Sequence, residues 1–191
     1  MAAIAGLDSS GPNYEFIGIV IGESCRLKAV YRTVKGRWRR IHLRELSRKG
    51  RNRIARNFLS ELSKYREEIH AISARTGVNE ALMRARRLAL FTPKSKIRRV
   101  CLKSLARLIL YTLEEYAVRE IWCDSELREI MGFTGVSVNV GQYPVELADI
   151  VAWLDFNVKR KRWTLRRKHF GPIKILDLSE RLNSLVLKEI K

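Results

Sequence analysis

Three aspartates stand at positions where a carboxylate is unusual. Asp8 ends the apolar run "IAGL", Asp124 ends "REIWC", and Asp149 lies within the nearly all-apolar "VELADIVAWLDF". A buried carboxylate is costly unless it is paired or bound to a metal. Two close carboxylates raise each other's pKa unless a cation is present, and Mg²⁺ or Mn²⁺ accepts such hard oxygen ligands. Two such ions, about 3.5–4 Å apart, can promote cleavage of a phosphodiester bond.

Each aspartate also has a plainer interpretation. Asp8 is followed by Ser-Ser-Gly-Pro, which is good turn chemistry. Asp149 can pair with one of the many arginines or lie at the edge of its helix. Most other carboxylates stand beside Arg or Lys on predicted helix faces and are expected to be solvated, for example Glu67, Glu68, Glu126 and Glu129. The metal-site interpretation therefore depends on whether the fold brings the three aspartates together.

The first 43 residues have the pattern of β structure. Residues 2–8, 14–22 and 26–34 are apolar runs separated by short turns that contain Gly, Pro, Asn and Ser. Links this short predict antiparallel neighbours. A fourth short strand is possible in "RWRRIHL", residues 37–43.

The hydrophobic period becomes helical between Glu45 and about residue 118. Thr76 and Gly77 end a first helix, a second is predicted over 80–91, and a third runs from Ser95 to Tyr116. The apolar positions that define the first helix recur every three or four residues: Ile54, Phe58, Leu62, Tyr65, Ile69 and Ile72.

The C-terminal third returns to strands before it ends in helices. A buried strand is predicted over 119–124, an alternating strand over 136–141, and an apolar helix from Pro144. A basic segment, 159–169, then leads to the apolar stretch "IKIL" and an amphipathic helix from Ser179.

This order of elements predicts a mixed α/β sheet. The strand at 119–124 is reached through a long helical crossover, which allows it to pair in parallel with the first strand. Carboxyl ends of parallel neighbours meet at one edge of a sheet, where strands lie about 4.8 Å apart. Asp8 and Asp124 would then face one another at a place where α/β proteins commonly bind ligands.

The chain resembles the ribonuclease H-like superfamily over roughly residues 3–157. The resemblance rests on "GLDSSGPNYEFIGIVIG", "IWCD", "VSVNVG" and "VELADIVAWLDF" in that order. More narrowly, it resembles uncharacterised prokaryotic families that open with an Asp-x-Ser-Gly strand end and close with an Ala-Asp helix. The resemblance implies that Asp8, Asp124 and Asp149 bind two divalent metals, Mg²⁺ or Mn²⁺, with catalytic roles.

The superfamily usually adds a fourth acid after the third strand or in the first helix. "HLRELSRKG" offers Glu45, and Glu61, between Phe58 and Tyr65, is the rival. We favour Glu45 because it directly follows a predicted β segment.

The charge predicts a polyanionic partner. The chain of 191 residues has 38 Lys and Arg against 20 Asp and Glu, a net charge of +18. The alternative is a thermophile surface, but such surfaces usually balance their charges into ion-pair networks. Ten Lys or Arg lie in 35–56, seven in 84–99 and seven in 159–168. The candidate nucleic-acid contacts, Arg combined with Trp for base stacking, are Arg37, Trp38, Arg39, Arg40, Arg48, Lys49, Arg51, Lys159, Arg160, Lys161, Arg162 and Trp163.

Other classes of protein are disfavoured. Cys25, Cys101 and Cys123 are too widely spaced for a zinc site or disulfide framework and fit a reducing cytoplasm. No apolar stretch approaches the roughly 18 residues that a membrane span requires, and no secretory signal is evident. We expect one domain over 1–191, with a helical insertion near 73–95 and a basic extension at 159–191.

The leading hypothesis is a metal-dependent nuclease, or nuclease-like protein, of ribonuclease H-like fold that acts on RNA or DNA. The alternatives are a non-catalytic nucleic-acid-binding protein of the same fold and a basic ribonucleoprotein subunit in which the acids only form salt bridges.

Overall fold

A six-stranded sheet forms the centre of the computed structural model, which describes residues 2–141, 143–159 and 171–190. The strands are β1 (Ala3–Ser10), β2 (Phe16–Glu23), β3 (Ile69–Arg75), β4 (Val118–Cys123), β5 (Asn139–Val140) and β6 (Ile173–Asp177). The helices are α1 (Ser24–Lys35), α2 (Arg48–Lys64), α3 (Val78–Leu88), α4 (Lys94–Glu114), α5 (Ser125–Gly132), α6 (Tyr143–Lys159) and α7 (Ser179–Ile190). Two 3₁₀ turns cover Pro12–Tyr14 and Leu43–Glu45.

The sheet has the mixed arrangement predicted for a ribonuclease H-like fold. The strand order is β5-β4-β1-β2-β3-β6. β1, β2 and β3 pair antiparallel, whereas β4 pairs in parallel with β1 and β5 in parallel with β4. The predicted fold class is therefore confirmed, as is the parallel pairing of the first strand with "REIWC".

The third strand comes from a different part of the chain than predicted. Residues 26–34 form most of α1, because their buried positions are Leu27, Val30 and Val34, which recur at helical spacing. The β-branched and aromatic residues of this stretch favour a strand locally, which led to the wrong prediction. Residues 37–43 form no strand either and lead into the 3₁₀ turn.

The true third strand was predicted as the end of a helix. α2 ends at Lys64, and the spacing that continues to Ile69 and Ile72 is accidental. β3 lies between β2 and β6 and is buried on both faces, so it has the near-continuous apolar character of an inner strand. The alternating strand predicted over 136–141 is reduced to the two residues of β5.

Helices cover both faces of the sheet. Alternate residues of β1 face opposite ways: Ala5 and Leu7 pack in the cluster that includes α3, α4 and α7, whereas Ile4 packs in the cluster that includes α1, α2 and α6. Asp8 therefore lies on the α6 face of the sheet.

The C-terminal residues that the structure describes are continuous with the sheet. β6 pairs in parallel with β3, and α7 packs on α3 and α4. The predicted insertion near 73–95 includes the end of β3 and all of α3. No helix among the described residues is long and apolar enough to cross a membrane.

Candidate metal centre

Two of the three aspartates lie at the carboxyl ends of neighbouring parallel strands, Asp8 near the end of β1 and Asp124 directly after β4. The register pairs Leu7 of β1 with Cys123 of β4. The backbone N–H of Asp124 donates to the carbonyl oxygen of Leu7 at 3.3 Å, which extends the ladder by one residue. Trp122 packs on the α6 face, so alternation places Asp124 on the same face as Asp8.

Two glycines allow α6 to lie unusually close to this face. A Cβ at Gly6 would lie 2.0 Å from the carbonyl oxygen of Pro144, and one at Gly18 would lie 2.0 Å from that of Ala148. Any side chain at either position would push the helix away from the sheet. Asp149 directly follows Ala148, so this close approach positions its carboxylate over the strand ends.

Asp8 and Asp124 share a hydrogen bond. Burial, together with the nearby charges of Asp149 and Asp124, raises the pKa of Asp8 from 3.8 to about 9. Burial also raises the pKa of Asp124, although hydrogen bonds from Leu127 and Asp8 oppose this shift. The protonated Asp8 carboxyl is therefore the donor and Asp124 the acceptor near neutral pH.

Asp149 is held by the loop before α2. Burial raises its pKa to about 6, while a hydrogen bond from the backbone N–H of Leu43 and the charges of His42 and Arg44 oppose the rise. All three aspartates are half-buried, so solvent reaches each side chain.

Two of the aspartates also have the structural roles that their neighbours in sequence suggest. Asp8 Oδ1 accepts from the backbone N–H of Ser9 at 2.6 Å. Asp124 caps α5, because its Oδ1 accepts from the backbone N–H of Leu127 at 2.7 Å. Each of these bonds uses one carboxylate oxygen and favours the ionised form.

The chemistry of this donor set fits a hard divalent cation. Three carboxylates from three elements lie close together, and burial, followed by the negative charge of neighbouring acids, raises their pKa values. Within the described ranges, no group of three or more His, Cys, Asp or Glu side chains is arranged as a ready-made metal site. A cation would have to replace the proton between Asp8 and Asp124.

Neither candidate for the fourth acid is hydrogen-bonded to the aspartates. Glu45 is exposed and pairs with Arg40 at 3.1 Å. Glu61 is buried on α2 and pairs with Lys64 at 2.6 Å. Glu45 nevertheless lies in the same 3₁₀ turn as Leu43, whose backbone N–H donates to Asp149. Glu45, unlike Glu61, therefore belongs to the segment that contacts Asp149.

A second aspartate of α6, Asp155, has a different role. It is only 1% exposed and accepts from Ser73 Oγ at 2.9 Å and from Nε and Nη2 of Arg75 at 2.9 and 2.7 Å. This buried ion pair fastens α6 to β3. Asp155 is therefore structural, whereas Asp149 has no side-chain ion pair among the residues described.

The predicted nucleic-acid residues at 37–51 surround the loop before α2. Arg37, Trp38, Arg39 and Arg40 are exposed, as are Arg48 and Lys49, while Arg51 is half-buried. Trp38, Arg39, Arg40, His42, Glu45 and Leu46 line an open groove of about 310 Å³. Lys159 pairs with Glu15 at 3.2 Å. Arg160, Lys161, Arg162 and Trp163 lie outside the described residues.

Sequence reasoning missed the residues that carry positive charge to the carboxylates. Arg44 lowers the pKa of both Asp124 and Asp149. His42 lies beside Asp149, and its buried Nδ1 has no hydrogen-bond partner among the described residues. The dense run of basic residues was the signal in the sequence that could have identified them. Because residues 37–43 were predicted to form a strand, the sequence did not indicate that this segment folds against α6.

Comparison with solved structures finds a likeness, whereas comparison with families and curated sequences does not. No family model matches the chain, and no curated protein sequence matches it significantly. A solved structure with a similar chain is the complex of PCNA with RNase HII from Archaeoglobus fulgidus, at a TM-score of 0.46 and 18% identity, covering 83% of this chain and 74% of that one.

Proposed function

We propose that the protein is a metal-dependent hydrolase of phosphodiester bonds in nucleic acid. The observation that supports this most strongly is the mutual electrostatic action of Asp8, Asp124 and Asp149 at the carboxyl edge of a ribonuclease H-like sheet. A fold that serves only as a scaffold gains nothing from clustered half-buried acids, because their repulsion destabilises it.

The three aspartates would bind the metal from three different elements of the fold. Asp8 and Asp124 would hold Mg²⁺ or Mn²⁺ between the strand ends, and Asp149 would complete the set from α6. A bound divalent cation lowers the pKa of water and stabilises the leaving oxygen of a phosphodiester. Glu45 is the candidate for a fourth ligand or a residue that orients water.

Positive charge lies on two sides of the carboxylates, as a phosphate backbone requires. Arg44 acts on Asp124 and Asp149 from the loop before α2. Arg98 of α4 acts on Tyr14, which Asp124 also influences, from the opposite face of the sheet. Neither arginine forms an ion pair with a described residue, so both are available for phosphate.

Metal-dependent cleavage is the direct test. Purified protein is incubated with single-stranded and duplex DNA, RNA and RNA–DNA hybrids, in Mn²⁺ or in EDTA. We expect cleavage of at least one substrate in Mn²⁺ that falls by about a thousandfold or more in Asp8→Asn. Asp177→Asn, at another strand end of the same edge, is the matched control and should retain activity.

A second candidate is a nucleic-acid-binding protein that does not cleave. It is favoured by the absence of a ready-made metal site in the described part of the chain and by the capping role of Asp124. Tight, salt-sensitive binding without cleavage in any metal would support it instead.

A further inference from the structure

The connection between α3 and α4 exposes an unusual amount of apolar surface. We call residues Leu88–Thr92 the α3–α4 tip. Leu88 is 69% exposed, Leu90 is 78% exposed and Phe91 is completely exposed. Met83, on the last turns of α3, is 54% exposed. Large apolar side chains clustered at one exposed position commonly mark a binding surface.

The chain on either side of the α3–α4 tip is strongly basic. The sequence has no acid between residues 81 and 113. Arg84 is paired with Glu80. The cations that flank the tip, are exposed and form no ion pair with a described residue are Arg86, Arg87, Lys94, Lys96, Arg98 and Arg99. Six cations without an ion-pair partner, next to exposed apolar side chains, favour a partner that combines dense negative charge with an apolar interior.

The tip lies on the side of the molecule that carries the carboxylates. The beginning of α3 contacts the 3₁₀ turn Pro12–Tyr14, which joins β1 to β2, and Asn13 Nδ2 donates to Asn79 Oδ1 at 2.7 Å. Within that turn, Tyr14 lies within electrostatic reach of Arg98 of α4, of Glu126 and Glu129 of α5, and of Asp124. Arg98 lies in the second turn of α4, and Phe91 precedes the first residue of that helix, Lys94, by three residues. A ligand that extends from Asp124 past Tyr14 to Arg98 therefore reaches the end of α4 that adjoins the tip.

The turn between the tip and the carboxylates is conformationally strained. Asn13 and Tyr14 have φ angles of 53° and 58°, in the left-handed region that residues with a Cβ rarely adopt. Tyr14 packs against the core, and Thr76 Oγ1 donates to its carbonyl oxygen at 2.7 Å, which holds this conformation. These contacts hold the turn between β1 and β2 in its conformation against the beginning of α3.

A nucleic-acid duplex fits these features best. Its phosphates match the cations, and proteins that bind the minor groove insert Phe, Leu or Met between base steps while Arg and Lys contact the flanking phosphates. An anionic membrane also offers charge above an apolar layer. The position of the tip beside the carboxylate edge favours the duplex.

We propose that the α3–α4 tip is a wedge that inserts Phe91 and Leu90 between base steps of the duplex on which the carboxylates act. The proposal rests on the proposed function for the identity of the ligand. Arg99 and Lys96 contact the phosphates beside the wedge, and the duplex is unstacked and bent at a fixed distance from the scissile bond.

The test uses the full-length protein in EDTA, so that binding is measured without cleavage. Duplex DNA and RNA–DNA hybrids carry 2-aminopurine at successive positions, since its fluorescence rises when it is unstacked. Wild type should raise the fluorescence at one position. Phe91→Ala should abolish that rise and weaken binding about tenfold, the scale of one lost stacking contact. Lys96→Ala with Arg99→Ala should instead lower the slope of log affinity against log salt by about 0.9 for each phosphate contact.

Tyr111→Ala is the matched control, because Tyr111 is an exposed aromatic (58%) near the far end of α4, the helix that follows the tip. It should behave as wild type. The wedge is overturned if Phe91→Ala matches wild type in fluorescence and affinity, or if Phe91→Ala reduces binding to phosphatidylserine vesicles while duplex binding is unchanged. If wild type never cleaves in Mn²⁺ but the Phe91-dependent signal is present, the wedge stands and the proposed hydrolysis fails.

Discussion

Asp8, near the end of β1, and Asp124, directly after the parallel strand β4, share one hydrogen bond, with the protonated Asp8 as donor. The bond joins two acids that, when both are ionised, repel each other in a half-buried site. The folded protein therefore retains a proton there that the unfolded chain releases. A cation of higher charge can take the place of that proton.

The first prediction concerns how the free energy of unfolding depends on pH. The pKa of Asp8 in the folded protein is about 9, above its ordinary value of 3.8, so the folded state binds the proton more tightly. The free energy of unfolding should fall as pH rises from about 4 to 9. Asp8→Asn should make this slope shallower, although the raised pKa of Asp149 still contributes between about pH 4 and 6, and should be more stable than wild type at pH 8, by about 1–3 kcal/mol.

Urea unfolding at pH 5, 7 and 9, without divalent metal, measures this effect. Asp177→Asn is the control: the pKa of Asp177 is lowered, mainly by hydrogen bonds from Ser179, so its stabilisation is lost only below about pH 4 and its variant should keep the wild-type slope. Equal slopes for wild type and Asp8→Asn would contradict the burial of a proton at Asp8.

The second prediction concerns the glycine beneath α6. A Cβ at Gly18 would lie 2.0 Å from Ala148 oxygen and 2.7 Å from Ala152 nitrogen. Gly18→Ala should displace the helix and lower the free energy of unfolding by about 2–4 kcal/mol. Gly132→Ala, where a Cβ meets no atom within 4 Å, should be neutral or slightly stabilising. Chemical denaturation compares the two, and equal stabilities would show that α6 is free to shift.

The third prediction separates the two roles of Asp124. Asparagine caps a helix as well as aspartate does, whereas alanine does not. Asp124→Asn should keep α5 intact and lose metal binding, and Asp124→Ala should lose both and cost about 1 kcal/mol more. Thermal unfolding with and without Mn²⁺ gives both quantities. Retention of the Mn²⁺ effect in Asp124→Asn would remove this residue from the metal site.

The fourth prediction contrasts two aspartates of α6. Asp155→Ala leaves Arg75 and Ser73 without their partner and should destabilise by about 3–5 kcal/mol. Asp149→Asn should be as stable as wild type or more so, because burial disfavours its charge, and should lose the response to Mn²⁺. Unfolding curves for both variants decide between these roles; a large loss of stability in Asp149→Asn would make it structural as well.

The overall fold could be predicted from the sequence more accurately than the individual helices and strands. The positions of Asp8 and Asp124 at strand ends followed from local apolar runs and turn residues, which are properties of neighbouring residues. The misplaced third strand shows the limit: Leu27, Val30 and Val34 are buried by α2 and α6, and Ile69–Arg75 is a strand because β2 and β6 lie on either side. Such tertiary contacts override local propensity.

The residues of the candidate site likewise fall into those that the sequence could identify and those that only the folded structure identifies. Asp149 could be singled out as an acid in an apolar helix, but Asp155, in the same helix, could not be told apart from it. Only the partners Arg75 and Ser73, about eighty positions away in sequence, identify Asp155 as structural. Arg44 and His42 were hidden because the loop that carries them reaches Asp149 only in the folded chain.

We propose that Asp8, Asp124 and Asp149 bind a divalent cation in place of a proton. Calorimetric titration with Mn²⁺ at pH 7, in two buffers of different ionisation enthalpy, measures binding and proton release together. Wild type should bind Mn²⁺ and release about one proton per site, Asp8→Asn should do neither, and Asp177→Asn should match wild type. Absence of Mn²⁺ binding in wild type, or binding that survives unchanged in Asp8→Asn, would contradict the claim.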